Sequence, residues 1–361
     1  MKTAAVGGRR LVGGASAGKA YRGRLWIVVV GMAAIVGIAC GSARAVTIDW
    51  VTVGNAGNAN DTTGYGSVGY SYQIGKYDVT IGQYNDFLNA VASSDPYALY
   101  NPLMGSDGNW KGIQQSGSSG NYTYSVIGSP NRPIAQVNWF SAARFANWMT
   151  NGQGSGSTET GAYTLAGATS GNAVPANPGA AYRLPTENEW YKAAYYSPNH
   201  GGVGVPGYYT YATQSDTAPG NQIGGAANQA NYRISAVYSV TQSSSYDSQQ
   251  NYLTDVGAFT ASASFYGTFD QNGNIYQWND LDGTASADRG IRGGNWGSGS
   301  PFDLSSSQRY LVAPSNGANL GFRLASSGVP EIDPSGLRLA AALVLGSLAL
   351  LERRRWGRGG L

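Results

Sequence analysis

The side chains that most often carry out chemistry are scarce in this chain of 361 residues, which has one cysteine, Cys40, and one histidine, His200. One imidazole cannot build a site that needs several histidine ligands, and a centre of two histidines and one carboxylate is excluded for the same reason. Ser-His-Asp catalysis would need His200 as its base, and nothing in the sequence orients it. We expect His200 to be a solvated loop residue.

Two pairs of closely spaced acids could supply a general acid and a general base: Glu187 with Glu189, and Asp280 with Asp282. The first pair lies at the start of a predicted helix, where carboxylates favour the helix dipole. For the second pair we expect loop solvation or ion binding. Neither pair predicts a glycosidase.

Cys40 lies in a segment that we expect to be removed from the mature protein. Six lysines and arginines and no acid precede an apolar run at residues 25–39, and a small-x-small site follows at residues 43–45. This order is typical of a secretory signal peptide, here residues 1–45, with an uncleaved membrane anchor as the alternative. The mature chain, from Val46, would contain no thiol, which excludes cysteine nucleophiles, thiolate metal sites and disulfides.

The C-terminal segment, residues 328–361, carries a second targeting pattern. Pro330-Glu331 precedes a short apolar stretch at residues 337–351, and three arginines follow at residues 353–355. The pattern resembles PEP-CTERM sorting tails, which exosortases recognise and process, although Ile-Asp separates Glu331 from the next proline. The resemblance implies a short transmembrane helix with its basic end in the cytoplasm, and a plain tail anchor is the alternative. Both place the body of the protein outside the cell, at the cell surface or in the extracellular matrix.

The charge of the body differs from the charge of the whole chain. The formal net charge is +3, but residues 46–330 hold 11 lysines and arginines against 17 acids, a net charge of −6. Nucleic-acid binding needs a concentrated basic face. We therefore expect no nucleic-acid partner.

The composition of the body predicts an irregular α+β fold with long loops. The chain has 53 glycines and 25 tyrosines, and only 12% of its residues are charged. Helical spacing of apolar residues predicts about three main helices, at residues 80–92, 141–150 and 186–196. Their expected N-caps are Thr80, Ser141 and Thr186, and the first and third open with a capping-box pattern. Short strands are expected at residues 72–77, 291–296 and 320–325.

Six sequence blocks along the body carry a family resemblance. They are residues 74–80 (IGKYDVT), 133–139 (PIAQVNW), 183–190 (RLPTENEW), 273–278 (GNIYQW), 292–296 (RGGNW) and 319–323 (NLGFR). Their order resembles that of formylglycine-generating, or sulfatase-modifying factor, domains, and implies one such domain at residues 46–327. The resemblance implies a C-type-lectin-like fold of short strands and long loops. It also implies a buried Arg183–Glu189 pair, core positions for Trp190, Trp278 and Trp296, and close backbone approach at Gly293-Gly294.

The same resemblance implies the fold of the family but not its copper chemistry. Oxidase members of the family hold copper with two cysteines after the Gly-Gly block and oxidise a sulfatase cysteine to formylglycine. Here Ser298 stands near the first expected cysteine and no thiol follows. A hydroxyl cannot replace a thiolate on Cu(I), so we do not expect copper. Iron-dependent sulfoxide synthases, another branch, use histidines that the single His200 cannot supply.

The resemblance also implies two calcium sites, because calcium prefers oxygen ligands at glycine-containing turns. The first would use the side chains of Asp270 and Gln277 and the carbonyls of Gly273 and Ile275, and the family usually has glutamate at the position of Gln277. The second would use Asn231, the carbonyl of Tyr232 and an acid near Asp247. A tight turn without an ion is the alternative at both.

Two functions of different classes remain. The first is a non-catalytic extracellular module that binds a glycan, a matrix component or a protein, for which long Gly-, Ser- and Tyr-rich loops are suited. Its expected contact residues are Trp296, Ser298, Ser300, Phe302, Asp303 and Arg309, with a core position as the alternative for Trp296. The second is a formylglycine-type oxidase, or an enzyme of altered chemistry, that acts on an exported protein. An exosortase-type enzyme and, before processing, the membrane are further expected partners.

Overall fold

The computed structural model describes residues 45–327. The predicted tail and all but the last residue of the predicted signal peptide lie outside the described residues. The helices within this range are α1 Ile81–Val91, α2 Leu103–Ser106, α3 Trp139–Thr150 and α4 Glu187–Tyr195. The strands are β1 Trp50–Val53, β2 Tyr72–Gly75, β3 Ile113–Ser116, β4 Thr123–Val126, β5 Tyr196–Ser197, β6 Gly207–Tyr208, β7 Tyr276–Asn279, β8 Arg289–Arg292, β9 Tyr310–Val312, β10 Leu320–Gly321 and β11 Ala325–Ser326. These elements confirm the predicted α+β class, with short strands, three main helices and long loops.

Two of the main helices begin with the predicted capping boxes. Thr80 Oγ1 accepts a hydrogen bond from the Gln83 N–H at 3.3 Å, and Gln83 Oε1 accepts from the Thr80 N–H at 2.8 Å. Thr186 and Glu189 repeat this exchange, at 3.3 and 2.8 Å, at the start of α4. Both boxes satisfy amide groups that have no partner inside the helix.

The cap of α3 differs from the prediction. Asn138, not Ser141, occupies the N-cap, and its Oδ1 accepts from the Ser141 N–H at 2.8 Å. The helix therefore begins at Trp139 and places two large apolar residues in its first turn. Although α3 is the longest helix of residues 45–327, with 12 residues, no helix in that range is long and apolar enough to cross a membrane.

The strands form four small sheets. One has the order β1-β2-β11 and is antiparallel, and β3-β4 and β5-β6 are two-stranded pairs. The largest has the order β10-β7-β8-β9, in which β10 runs parallel to β7. In this sheet Gln277 lies opposite Arg292, and Gly290 lies opposite Leu311. The strand β9 is therefore an edge strand whose outer side is open to other contacts.

Two predicted strands are placed differently in the structure. The strand predicted at residues 291–296 ends at Arg292, because Gly293 and Gly294 have φ angles of +98° and +75°, which an extended strand cannot include. A Cβ on Gly293 would lie 2.9 Å from the carbonyl oxygen of Gln271, so the predicted close backbone approach is confirmed. Residues 320–325 contain parts of β10 and β11, which belong to different sheets.

The largest core surrounds α1 and α3 and is strongly aromatic. Every residue of α3 from Trp139 to Met149 is buried. The ring of Phe145 contacts those of Tyr84, Phe87 and Phe322 at centroid distances of 6.1, 5.3 and 5.4 Å. The predicted core tryptophans are also buried: Trp190, Trp278 and Trp296. Edge-to-face packing of this kind holds the irregular loops on a rigid centre.

Candidate functional site

The predicted contact residues follow β8 in a segment that its own hydrogen bonds hold in place. Ser298 is buried, and its Oγ accepts from the Asn295 N–H at 3.1 Å and lies 3.5 Å from the hydroxyl of Tyr276. Ser300 caps a short 3-10 helix, Pro301–Leu304, by accepting from the Phe302 N–H at 3.2 Å. Both serines therefore shape the segment, and Ser298 presents no open hydroxyl.

An exposed patch, which we call the aromatic surface, consists of Phe302, Asp303, Tyr310 and the half-buried Tyr276. Phe302 is 54% exposed and Tyr310 is 39% exposed. The Tyr310 hydroxyl donates to Asp303 Oδ1 at 3.1 Å, and its ring meets that of Tyr276 edge-on at a centroid distance of 5.8 Å. Burial and then the Asp303 charge raise the pKa of Tyr310, so this hydroxyl stays protonated at neutral pH. The patch offers two rings and a carboxylate to a ligand, while the hydrogen of the Tyr310 hydroxyl is already used in the bond to Asp303.

Trp296 belongs to the core and not to this surface. Its ring stacks on Tyr252 at 4.6 Å and contacts Trp110 at 5.1 Å and Tyr238 at 5.9 Å. It is 8% exposed, and its indole N–H is buried without a hydrogen-bond partner among residues 45–327. The structure therefore places Trp296 in the core, which was the alternative to its role as a contact residue.

Arg309 also lies apart from the aromatic surface. Its guanidinium lies 5.0 Å from the ring centroid of Tyr65, and both residues line a separate cleft. Arg309 and Tyr310 are neighbours in the chain, but only Tyr310 contacts Asp303. The six predicted contact residues therefore do not form one site. Trp296 is in the core, Arg309 lines the cleft, and the other four form or support the aromatic surface.

The first predicted calcium set contacts an arginine. Arg323 Nε donates to Gln277 Oε1 at 2.7 Å, and Trp190 Nε1 donates to the same oxygen at 2.8 Å. Gln277 Nε2 donates to the main-chain carbonyl of Asp270 at 2.6 Å. Both lone pairs of Gln277 Oε1 thus accept hydrogen bonds. The positive charge at this place is the guanidinium of Arg323 and not a metal ion. The residues as arranged do not fit a calcium ion, which needs free oxygen ligands.

The carbonyl ligands of the first set and the residues of the second set also offer few free oxygen atoms to a calcium ion. The Gly273 carbonyl accepts from the Ile275 N–H at 2.8 Å, and the Tyr232 carbonyl accepts from Ser239 Oγ at 3.1 Å. Asp247 is exposed. Asn231 Oδ1 alone among the named side-chain oxygens is buried without a hydrogen-bond partner in residues 45–327. Within the same range no group of three or more histidines, cysteines and acids could hold a metal. Calcium binding stays a prediction.

Arg323 has two carboxyl groups beside it. Asp78 Oδ1 accepts from Arg323 Nη2 at 3.2 Å, and both side chains are fully buried. Burial raises the pKa of Asp78 to about 8 and the pKa of Asp270 to about 6, and the Arg323 charge lowers both. Near neutral pH the Asp270 carboxylate therefore balances Arg323, while Asp78 is largely protonated.

We expect the free energy of unfolding to fall as pH rises from 5 to 8. Both folded-state pKa values lie above the ordinary aspartate value, so the native state binds more protons than the unfolded state in this window. This contribution is fully present below pH ~4 and is lost as pH rises through the two folded-state values. Each proton released on unfolding changes the free energy of unfolding by about 1.4 kcal/mol per pH unit.

Urea denaturation at several pH values measures the slope of the free energy of unfolding against pH. The variant Asp270→Asn should flatten it between pH 5 and 7, and an unchanged slope would contradict the assignment.

The first pair of acids considered for catalysis serves in ion pairs. Glu189 is fully buried and accepts from Arg183 at 2.5 and 2.6 Å, which confirms the predicted partnership. Glu187 is buried and pairs with the guanidinium of Arg292 from β8. The charge of Arg183 and its hydrogen bonds lower the pKa of Glu189 against the opposing effect of burial. Neither acid is available as a proton donor.

The second pair and the histidine are also structural. Asp280 is fully buried and lies 3.3 Å from Arg289 Nε, so the expectation of loop solvation or ion binding is wrong for it. Asp282 is exposed in the loop that follows. His200 Nε2 lies 2.9 Å from Asp216 Oδ2 in a partly exposed loop pair. No described nucleophile is hydrogen-bonded to this imidazole.

Three residues of these sites are not predicted from the sequence. Tyr65 and Tyr310 come from segments outside the six sequence blocks, and the only signal for them is the high tyrosine content. Arg323 lies in the last block, but its contact with Gln277 spans 46 positions. Such contacts require the tertiary structure.

The comparisons with known proteins agree with the sequence blocks. The chain matches the sulfatase-modifying factor enzyme 1-like domain over residues 52–327. Three similar solved structures are each 18% identical. CarF has a TM-score of 0.43 over 78% of this chain and 99% of its own, and Treponema denticola variable protein 1 has 0.45 over 80% and 98%. PvdO from Pseudomonas aeruginosa has 0.39 over 78% and 93%. No curated protein matches. Because the domain match spans most of the sequence, this chain belongs to the sulfatase-modifying factor enzyme 1-like family.

Proposed function

We propose that the protein is an exported module that binds glycans, in which the family domain serves recognition and not oxidation. The aromatic surface carries this proposal, since it presents the rings of Phe302 and Tyr310 beside the carboxylate of Asp303. The flat faces of sugar rings pack on aromatic rings, and sugar hydroxyls donate hydrogen bonds to carboxylates. A rim of long loops suits recognition of an extended polymer.

The chemistry of residues 46–327 supports recognition over oxidation. This range contains no cysteine, and Ser298, near the expected copper position, accepts a hydrogen bond from Asn295. A hard hydroxyl oxygen is a poor ligand for Cu(I). Copper and calcium are therefore not part of the proposal. Family membership favours the alternative, an oxidase or related enzyme with altered chemistry that acts on an exported protein.

Export and surface attachment complete the proposal and are supported by the sequence alone. Removal of residues 1–45 would place the domain outside the cytoplasm. Processing of residues 328–361 by an exosortase-type enzyme would then leave it at the cell surface or in the extracellular matrix, where polysaccharide is available.

We expect Phe302→Ala and Tyr310→Ala each to weaken binding of the full chain to immobilised polysaccharides by about five- to tenfold, the effect of removing a central contact residue. Binding isotherms on an array of purified polysaccharides measure the change. Phe265→Ala is the matched control, because Phe265 is 37% exposed and packs on Tyr266 in another part of the domain. Unchanged binding by both surface variants would contradict the proposal.

A second assay decides between recognition and oxidation. The protein is incubated with a cysteine-bearing sulfatase peptide, copper and oxygen, and the peptide is examined by mass spectrometry. We expect no conversion of the thiol to an aldehyde. Aldehyde formation above the protein-free control would establish the alternative.

A further inference from the structure

The cleft beside the aromatic surface is a second binding feature. It has a volume of about 330 Å³, at the lower end of the range of roughly 300–1,000 Å³ for small-molecule sites. Tyr65, Asp282, Thr284, Ser286, Arg309 and Leu311 are among the residues that line it. Leu311 follows Tyr310 in the edge strand β9, and successive side chains of a strand point to opposite faces, so the cleft and the aromatic surface lie on the two sides of this strand.

Arg309 gives this cleft a positive charge. Its guanidinium lies 5.0 Å from the ring centroid of Tyr65, and it takes part in none of the ion pairs of residues 45–327. Arg292 lies 5.2 Å from the same ring but is buried and neutralised by Glu187. Arg309 is therefore the cation that is free to bind an anionic group, and a guanidinium binds a carboxylate through two parallel hydrogen bonds.

The rest of the cleft suits a ring that carries hydroxyl groups. Leu311 is 51% exposed and supplies an apolar contact, and Thr284 and Ser286 supply hydroxyls. Asp282 accepts from the N–H and Oγ1 of Thr284 at 2.9 and 2.7 Å, and these hydrogen bonds lower its pKa. Asp282 is therefore an ionised acceptor for ligand hydroxyls, and its charge repels an anion whereas the charge of Arg309 attracts one. A ligand carboxylate is directed to Arg309.

We propose that this cleft binds an acidic sugar residue, a hexuronate, of the glycan that the aromatic surface holds, with Arg309 bound to the sugar carboxylate. The inference rests on the proposed function and narrows it to carboxylated polysaccharides.

The test uses the full chain and polygalacturonate. Binding is measured for the polymer and for the same polymer after reduction of its carboxyl groups to alcohols. We expect reduction, and separately Arg309→Gln, to weaken binding by about ten- to a hundredfold, the effect of losing charge-assisted hydrogen bonds. Arg309→Lys should retain part of the affinity, since it keeps the charge but not the two-point geometry. Melting temperatures establish that the variants are folded.

The matched control is Arg233→Gln. Arg233 is half-buried, lies over a tyrosine ring at 5.7 Å, and likewise takes part in no ion pair of residues 45–327, so the change in net charge is the same. Equal losses in Arg233→Gln and Arg309→Gln would mean non-specific attraction and would overturn the inference. Equal binding of the native and reduced polymers, with binding still sensitive to Phe302→Ala, would overturn the inference and leave the proposed function intact. Absence of binding to any polysaccharide would overturn both.

Discussion

Replacing Arg323 with methionine should lower the free energy of unfolding at pH 7 by about 3–5 kcal/mol, as expected when one partner of a buried ion pair is removed. Arg323 is fully buried, and its guanidinium also donates to the carbonyls of Gly75 at 2.9 Å and Phe269 at 2.7 Å. It therefore joins β2 to the segment that precedes β7. Methionine would leave these carbonyls without a donor and the Asp270 carboxylate without its counter-charge.

Urea denaturation measures this loss, provided that unfolding is two-state. The control is Arg132→Met, because Arg132 is half-buried and takes part in no ion pair of residues 45–327. We expect it to change stability by no more than about 0.5 kcal/mol. Adding Asp270→Asn to Arg323→Met should recover part of the loss, since the amide needs no counter-charge. Strictly additive losses in the double variant would argue that the two side chains do not balance each other.

Features that depend on neighbouring residues were predicted well from the sequence. The capping boxes at Thr80 and Thr186 involve residues three apart, and both form as predicted. The helix α3 shows the limit of this reasoning, since Asn138 and Ser141 are both good N-caps and local preference does not choose between them. Burial of Trp139 in the core settles the choice in favour of Asn138.

Features that depend on distant residues were not predictable in the same way. In the segment after β8, nothing local places Trp296 under a tyrosine 44 positions earlier in the chain. The calcium prediction for Gln277 did not anticipate Arg323, whose guanidinium reaches the Gln277 side chain from the connection between β10 and β11. In a domain held together by long loops, the partner of a polar side chain is decided by packing, and residue type alone does not reveal it.

The contrast between Asp280 and Asp282 shows how strongly packing decides the role of an acid. Asp280 Oδ1 accepts from the indole N–H of Trp139 at 2.6 Å, and Oδ2 accepts from the hydroxyl of Tyr163 at 2.6 Å. Arg289 Nε, at the start of β8, lies 3.3 Å away and is itself fully buried. One carboxylate therefore connects the central helix α3 to the largest sheet and balances a buried cation.

Replacing Asp280 with alanine should lower the free energy of unfolding by about 3–5 kcal/mol, because Arg289 would be left buried without its counter-charge. Asp282→Ala, two positions along, should cost no more than about 0.5 kcal/mol, because within residues 45–327 the Asp282 side chain accepts hydrogen bonds only from the nearby Thr284. Urea denaturation of both variants gives the comparison, and equal losses would refute the assigned roles. Asp280→Asn separates the two contributions, since it keeps an acceptor for Trp139 but removes the charge. If charge balance dominates, Asp280→Asn should lie close to the alanine variant; if hydrogen bonding dominates, it should lie close to the wild type.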